Sequence, residues 1–134
     1  MGGPTVKRAL LDTHALLWAW LSPEKLSPVA RNWIEDPSNE RVVSAVTALE
    51  ISTKYRIGKL SVEPSLVFQF KEHVTRFQAQ ELPVATEHAI LAGCFPSLHR
   101  DPFDRMLAAQ SQLEGIPLIT VDRAFKQFPI QVLW

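Results

Sequence analysis

Two short apolar runs, each ending in an aspartate and giving way at once to a helix or turn, constrain this chain more than any other feature. RALLD at 8–12 leads into HALLWAWL at 14–21 after almost no loop, and IPLITVD at 116–122 ends the same way. Apolar runs of this length without alternation suit strands covered on both faces, which occur in parallel sheets sandwiched by helices. The rest of the chain keeps up the alternation. Ser27 and Pro28 cap a helix through Ile34, the loop DPSNE follows at 36–40, and RVVSA at 41–45 reads as a strand running into the helix AVTALEISTKYRI, which Gly58 stops. PSLVFQFKEHV at 64–74 predicts a further helix, and AQELPV at 79–84 a strand that Pro83 assigns to a sheet edge. Thr86 is expected to cap the next helix. HRDPFDRMLAAQ at 99–110 opens a helix that Gly115 ends, and IQVLW at 130–134 is a final short strand. The reading is a single α/β domain over 1–134, with a central, mostly parallel sheet of about five short strands flanked by helices in three layers.

Composition supports that reading and narrows the function. A chain of 134 residues, 46% hydrophobic and 21% charged, is long enough to bury a proper core. Its 14 basic and 14 acidic side chains cancel, so any nucleic acid must be held by a local patch rather than by a general positive field. The single cysteine, Cys94, can build neither a disulfide framework nor a zinc site, and is expected to pack as a small apolar residue in a reducing compartment. The apolar run from Ala15 to Leu21 falls far short of the roughly 18 residues that a membrane helix needs. Asp12 stands where a signal peptide has its apolar centre. A cytoplasmic protein with no membrane partner is therefore expected.

Ligands of an open parallel sheet bind beyond the carboxyl ends of its strands, and Asp12 and Asp122 both fall there. Each has an alternative role as the cap of the segment that follows. Glu50 lies among Val46, Leu49, Ile51 and Ile57 on a helix that is apolar around most of its circumference, and its alternative is a surface pair with Lys54. Asp104 sits in the first turn of the helix that Asp101 and Pro102 open, where an acid suits the helix dipole, but also at the border of that helix's core face. Four carboxylates gathered in a partly buried cleft repel one another by several kcal/mol and require a cation. An all-oxygen set without a cysteine or histidine cluster favours Mg²⁺ or Mn²⁺ over zinc. Asp12 and Asp104 are expected to bind the ion directly, with Glu50 and Asp122 completing its shell or positioning a water, and phosphodiester hydrolysis is the chemistry that such an ion serves.

Taken together, LLDTHALLW, SAVTALEISTKYRIGKL and HRDPFDRMLAAQSQLEGIPLITVDRAF resemble the PIN-domain proteins of the VapC toxin type, over nearly the whole chain. The resemblance implies a PIN-like fold in which Asp12, Glu50, Asp104 and Asp122 are the four site acids, with Thr120 as the hydroxyl residue two before the last. It implies a metal-dependent endoribonuclease, silenced by a small antitoxin protein encoded beside it and forming a homodimer. Asp101 stands outside that quartet as a helix cap. His14 and His99 have either a structural role or a role in holding RNA or water. Phosphate contacts are expected from Arg100, Arg105, Arg123, Lys54 and Arg56, which flank the acids, against the alternative of a solvated surface.

Two other classes compete: a phosphorelay receiver-like domain, which also gathers aspartates around Mg²⁺, and a non-catalytic binding module whose acids are caps and surface pairs. A last expectation concerns ALLWAWL at 15–21. Trp18 and Trp20 are about 200° apart around a helix and cannot both enter one core. One indole is therefore expected to be exposed on the isolated chain, as a surface for a second copy or an antitoxin helix, unless the neighbouring helix with Trp33 and Ile34 covers it.

Overall fold

A computed structural model describes residues 7–134; the first six residues of the expected 1–134 domain lie outside the described residues. Five strands form one sheet, β1 (Arg8–Leu11), β2 (Glu40–Ser44), β3 (Gln80–Leu82), β4 (Leu118–Ile119) and β5 (Val132–Leu133), in the order β3-β2-β1-β4-β5. All four pairings are parallel, with Leu10 opposite both Val42 and Leu118. The chain moves outward from β1 to β2 and β3, then returns to the other side of β1 for β4 and β5. The order therefore reverses between β1 and β4, where sheets of this kind open a crevice at their carboxyl ends.

Seven α-helices cover the sheet: α1 (Thr13–Leu21), α2 (Pro28–Glu35), α3 (Ala45–Arg56), α4 (Ser65–Phe68), α5 (Phe70–Arg76), α6 (Thr86–Cys94) and α7 (Pro102–Glu114). Strand alternation sorts the apolar side chains between two cores. Leu10, Val42 and Leu118 pack on one face with Ala92, Leu107, Phe125 and Phe128. Ala9, Leu11, Val43 and Ile119 pack on the other with Leu16, Ala30, Ile34 and Val74. With β1 buried on both faces, a truncation such as Leu10→Ala should cost about 2–5 kcal/mol. β3 pairs only with β2, so Pro83 does follow an edge strand.

Several local expectations are corrected. The helix expected at 64–74 breaks at Gln69 (φ −120°, ψ 32°) into α4 and α5. The break lets the two halves serve different neighbours: Phe68 meets Tyr55 of α3 edge-on, while Phe70 and Phe77 meet Trp20 of α1. Thr86 does not cap α6. Ala85 holds that position, and its N–H donates to His88 Nδ1 at 2.9 Å. The strand expected at 116–122 is only Leu118–Ile119, because Thr120 turns to accept the N–H of Asp122. Cys94 is exposed at the end of α6 rather than packed.

The expectation of an exposed indole also fails. Trp18 and Trp20 are both half-buried, and both pack against the second core. Trp18 lies against Trp134 at the chain's end (ring centroids 5.8 Å apart), and Trp20 against Phe70, Phe77 and His73. Trp33 and Ile34 belong to the same core, but the aromatic cover comes from α5 and the C-terminus.

Candidate active site

Asp12 ends β1 and caps α1, so the cap and the site are one residue. Its Oδ1 accepts the N–H of Ala15 at 2.7 Å, and its Oδ2 accepts the Thr120 hydroxyl at 2.5 Å. Its own N–H donates to the carbonyl of Ile119 at 3.1 Å, which ties it to β4. Burial pushes its carboxyl above the ordinary 3.8, against the pull of the Thr120 and Ala15 hydrogen bonds. Thr120 Oγ1 also accepts the N–H of Asp122 at 3.0 Å, so one hydroxyl links the first and fourth acids across the switch point. Asp122 caps the 3₁₀ turn at Arg123–Gln127 through the N–H of Ala124 (2.9 Å) and stays exposed.

Glu50 sits on α3 facing inward, only 4% exposed, where an unpaired carboxylate would be costly. Thr13 donates to its Oε1 at 2.6 Å, and the Lys54 ammonium, one turn on, pairs with its Oε2. The surface-pair alternative is thus half right: the pair exists, but its acid is buried. Asp104 is placed by the cap of α7, where Asp101 Oδ1 accepts the N–H groups of both Phe103 (2.8 Å) and Asp104 (3.1 Å). His99 Nε2 lies 2.8 Å from Asp104 Oδ2. Burial, reinforced by Asp101 and Glu50, outweighs the His99 contact and raises the Asp104 carboxyl to about 6.

All four acids line one cavity of about 140 Å³, together with Asp101, Thr13, His14 and Lys54. Each acid is supplied by a different segment, and none has an apolar packing role. Among the described residues no three acidic, histidine or cysteine side chains close around a common point as they stand, and Asp12, Glu50 and Asp104 each accept hydrogen bonds from protein donors. The donor set is nevertheless all oxygen, the chemistry of a hard divalent ion. A larger cleft of about 450 Å³ adjoins the cavity through Thr13, His14 and Lys54, and runs between α1 and the segment after α3 past Trp18, Lys25 and Lys59.

The basic residues divide. Arg100, Arg123 and Arg56 are exposed, and Lys54 faces both cavities. Arg105 is not available for phosphate, because its guanidinium donates to the carbonyls of Ala92, Gly93, Phe95, Ser97 and His99. Sequence reasoning missed the Thr13 donor to Glu50 and the His99 contact with Asp104. Adjacency to Asp12 in LLDTHALLW was the only signal for the first, and HRDPFD, with His99 five residues before Asp104, for the second.

A parallel sheet with four acids gathered at its switch point defines an α/β domain with an acidic site. The family model of the PIN domain matches residues 9–131, and the chain belongs to that family. It is 32% identical over 120 residues to ribonuclease VapC22 of Mycobacterium tuberculosis (strain ATCC 25618 / H37Rv), a span of 87% of this chain and 88% of that protein. Two solved structures share its fold. VapBC2 from Rickettsia felis, bound to a DNA fragment from its promoter, superposes with a TM-score of 0.65 at 15% identity over 93% of this chain and 96% of that one. FitAcB from Neisseria gonorrhoeae gives 0.61 at 19% identity over 92% and 95%. Family membership sets aside the receiver-like alternative. Among the described residues, no helix is long and apolar enough to cross a membrane.

Proposed function

We propose that this chain is a metal-dependent endoribonuclease and the toxin of a toxin–antitoxin pair. The observation that carries the reading is the convergence of Asp12, Glu50, Asp104 and Asp122 on one small cavity at the sheet's switch point. Membership of the PIN family and similarity to a relative named as a ribonuclease support it. Asp12 and Asp104, the two site carboxyls that desolvation pushes above their ordinary range, would hold Mg²⁺ or Mn²⁺. When bound, the ion stabilises the charge that develops on the phosphodiester and favours ionisation of the attacking water. Glu50, held by Thr13 and Lys54 on the wall of the same cavity, would accept a proton from the attacking water, and the exposed Asp122 would orient it. Thr120 keeps Asp12 and Asp122 in register.

The RNA strand reaches the acids along the adjoining cleft, whose lining includes Lys25, Lys54 and Lys59 and no acidic residue. Those ammonium groups, with the exposed Arg100 and Arg123 next to Asp101 and Asp122 in the chain, supply the local positive field that a net charge of zero does not. A small antitoxin protein covers the same cleft when the toxin is silenced. Phe68 (77% exposed) and Leu98 (92%) are large apolar side chains that the chain leaves mostly open to solvent, which supports self-association as a homodimer. Incubation with an unpaired RNA, with and without Mg²⁺ or Mn²⁺, tests the reading. Metal-dependent internal cleavage, abolished by EDTA and by Asp12→Asn, is expected; cleavage that survives both refutes it.

A further inference from the structure

Asp104 differs from the other buried acids in how it is held. Asp12 is fixed by a backbone N–H and a hydroxyl at the sheet, and Glu50 by residues on α1 and its own helix. The side-chain donor to Asp104 instead comes from the irregular segment between α6 and α7. An ionised carboxylate can only accept, so His99 Nε2 carries the proton in its 2.8 Å contact with Oδ2. The imidazole stands edge-on to buried Phe128 (centroids 5.8 Å, 87°), and Phe128 in turn packs against Phe95 and Phe125. The His99 N–H donates to Ser97 Oγ at 3.1 Å.

What fixes this segment is Arg105, the residue after Asp104. Its Nε donates to Ala92 O at 2.7 Å, Nη1 to Ser97 O at 3.0 Å and His99 O at 2.7 Å, and Nη2 to Phe95 O at 2.6 Å and Gly93 O at 3.4 Å. A guanidinium has five N–H donors and no acceptor, and here all five are spent on backbone carbonyls. Three of those carbonyls lie at the C-terminal end of α6, where a cation also meets the negative end of the helix dipole. The other two, at Ser97 and His99, belong to the segment that delivers the ring. Neither residue is needed to cap α7, since Asp101 does that.

We propose that Arg105 and His99 act together as a positioning unit for the third acid, a role that rests on the reading of Asp104 as an ion ligand. Arg105 sets the backbone of His99, and the ring then restrains Oδ2 of Asp104, which leaves Oδ1 as the oxygen available to the ion. Partners of this kind fix the orientation of a ligand that would otherwise sample several rotamers, and losing one typically weakens metal binding about ten- to hundredfold. His99 is thus a positioning residue and touches no reacting atom.

Calorimetric titration of the intact protein with Mn²⁺, alongside thermal unfolding, tests the unit. His99→Phe keeps a ring against Phe128 but has no donor, whereas His99→Gln returns an amide N–H. Weaker Mn²⁺ binding by about ten- to hundredfold is expected for His99→Phe, with partial recovery in His99→Gln at similar thermal stability. Wild-type Mn²⁺ affinity in His99→Phe overturns the proposal, and a loss confined to His99→Gln would assign the ring to packing alone. Arg105→Lys replaces the fork by a single ammonium and should lower both stability and Mn²⁺ affinity; if it fails to fold, the His99 pair still decides. Asp104→Asn, titrated in parallel, separates the two readings. If it binds Mn²⁺ like the wild type, the ligand assignment falls and the positioning role with it. If it loses binding while His99→Phe does not, only the positioning role falls.

Discussion

Replacing Asp104 by Asn should make the metal-free protein more stable, although it removes a residue of the site. The carboxyl is held at about 6 against an ordinary 3.8, chiefly by burial, with the nearby carboxylates of Asp101 and Glu50 adding to it. Because the folded value lies above the unfolded one, the protonated group favours the fold fully below about pH 4, and that contribution is lost as pH rises through about 6. At 1.36 kcal/mol per pH unit of separation the upper limit is about 3 kcal/mol. The side chain keeps 20% of its exposure, so solvent screening reduces this to about 1–2 kcal/mol. An Asn side chain preserves the shape and the acceptor for His99 but never ionises. In EDTA at pH 8 its midpoint of unfolding should therefore stand roughly 3–8 °C above the wild type, and the gap should shrink to nothing near pH 4. With Mn²⁺ the order should reverse, because a ligand at about a hundred times its dissociation constant stabilises the wild type by ~2.7 kcal/mol and the variant by far less. Thermal unfolding of both proteins across pH 4–8, with EDTA and with Mn²⁺, measures every part of this. An Asn variant less stable than the wild type at pH 8 in EDTA, or an advantage that persists undiminished at pH 4, would refute the electrostatic account.

The raised carboxyl also predicts that protons compete with the ion for Asp104, so RNA cleavage at limiting Mn²⁺ should fall as pH drops, with a midpoint that moves down as Mn²⁺ is raised; pH–rate profiles at two Mn²⁺ concentrations check this. Lys54→Met leaves Glu50 buried with only Thr13 as donor, and should cost the metal-free protein about 1–2 kcal/mol in urea unfolding while tightening Mn²⁺ binding in calorimetry, since a competing cation is gone. Thr120→Val removes the hydroxyl shared by Asp12 and the N–H of Asp122, and should lower stability by about 1–3 kcal/mol together with the cleavage rate. Trp20→Ala empties the space between Phe70 and Phe77 and should cost about 2–4 kcal/mol, with sedimentation unchanged if the indole serves only the chain's own core.

The parts of the molecule that could be read from the sequence are those whose physics is local. An apolar run too short for a helix and ended by an acid marks a buried parallel strand and a cap together, which is why the strand-end positions of Asp12 and Asp122 could be anticipated from RALLD and IPLITVD, whereas the strand order could not. Asp101 as the cap of α7 was legible for the same reason, since its acceptor and the two N–H groups it satisfies lie within three residues. Glu50 was legible only by its incongruity, an acid on a segment apolar nearly all round. Its buried partner Thr13 lies 37 positions away, and no local pattern connects the two.

The misreadings of Trp18, Trp20 and Arg105 share one cause. Periodicity shows that two indoles two positions apart cannot enter one core, but not how many other elements surround the helix. Here the two ends of α5 and the last residue of the chain supply separate covers, Phe70 and Phe77 for one ring and Trp134 for the other. Arg105 beside a site acid carries the local signature of a phosphate contact, yet its five donors go to carbonyls 6 to 13 positions back. A guanidinium's preference between a phosphate and a backbone turn depends on which acceptors the fold brings within reach, since both suit its planar fork. In this chain the α6–α7 connection reaches it first, and the charge of Arg105 is consequently structural. On the proposed reading, the cations left for a polyanion are the lysines of the adjoining cleft and the exposed Arg100 and Arg123, so a strand would approach the acids along the cleft rather than over α7.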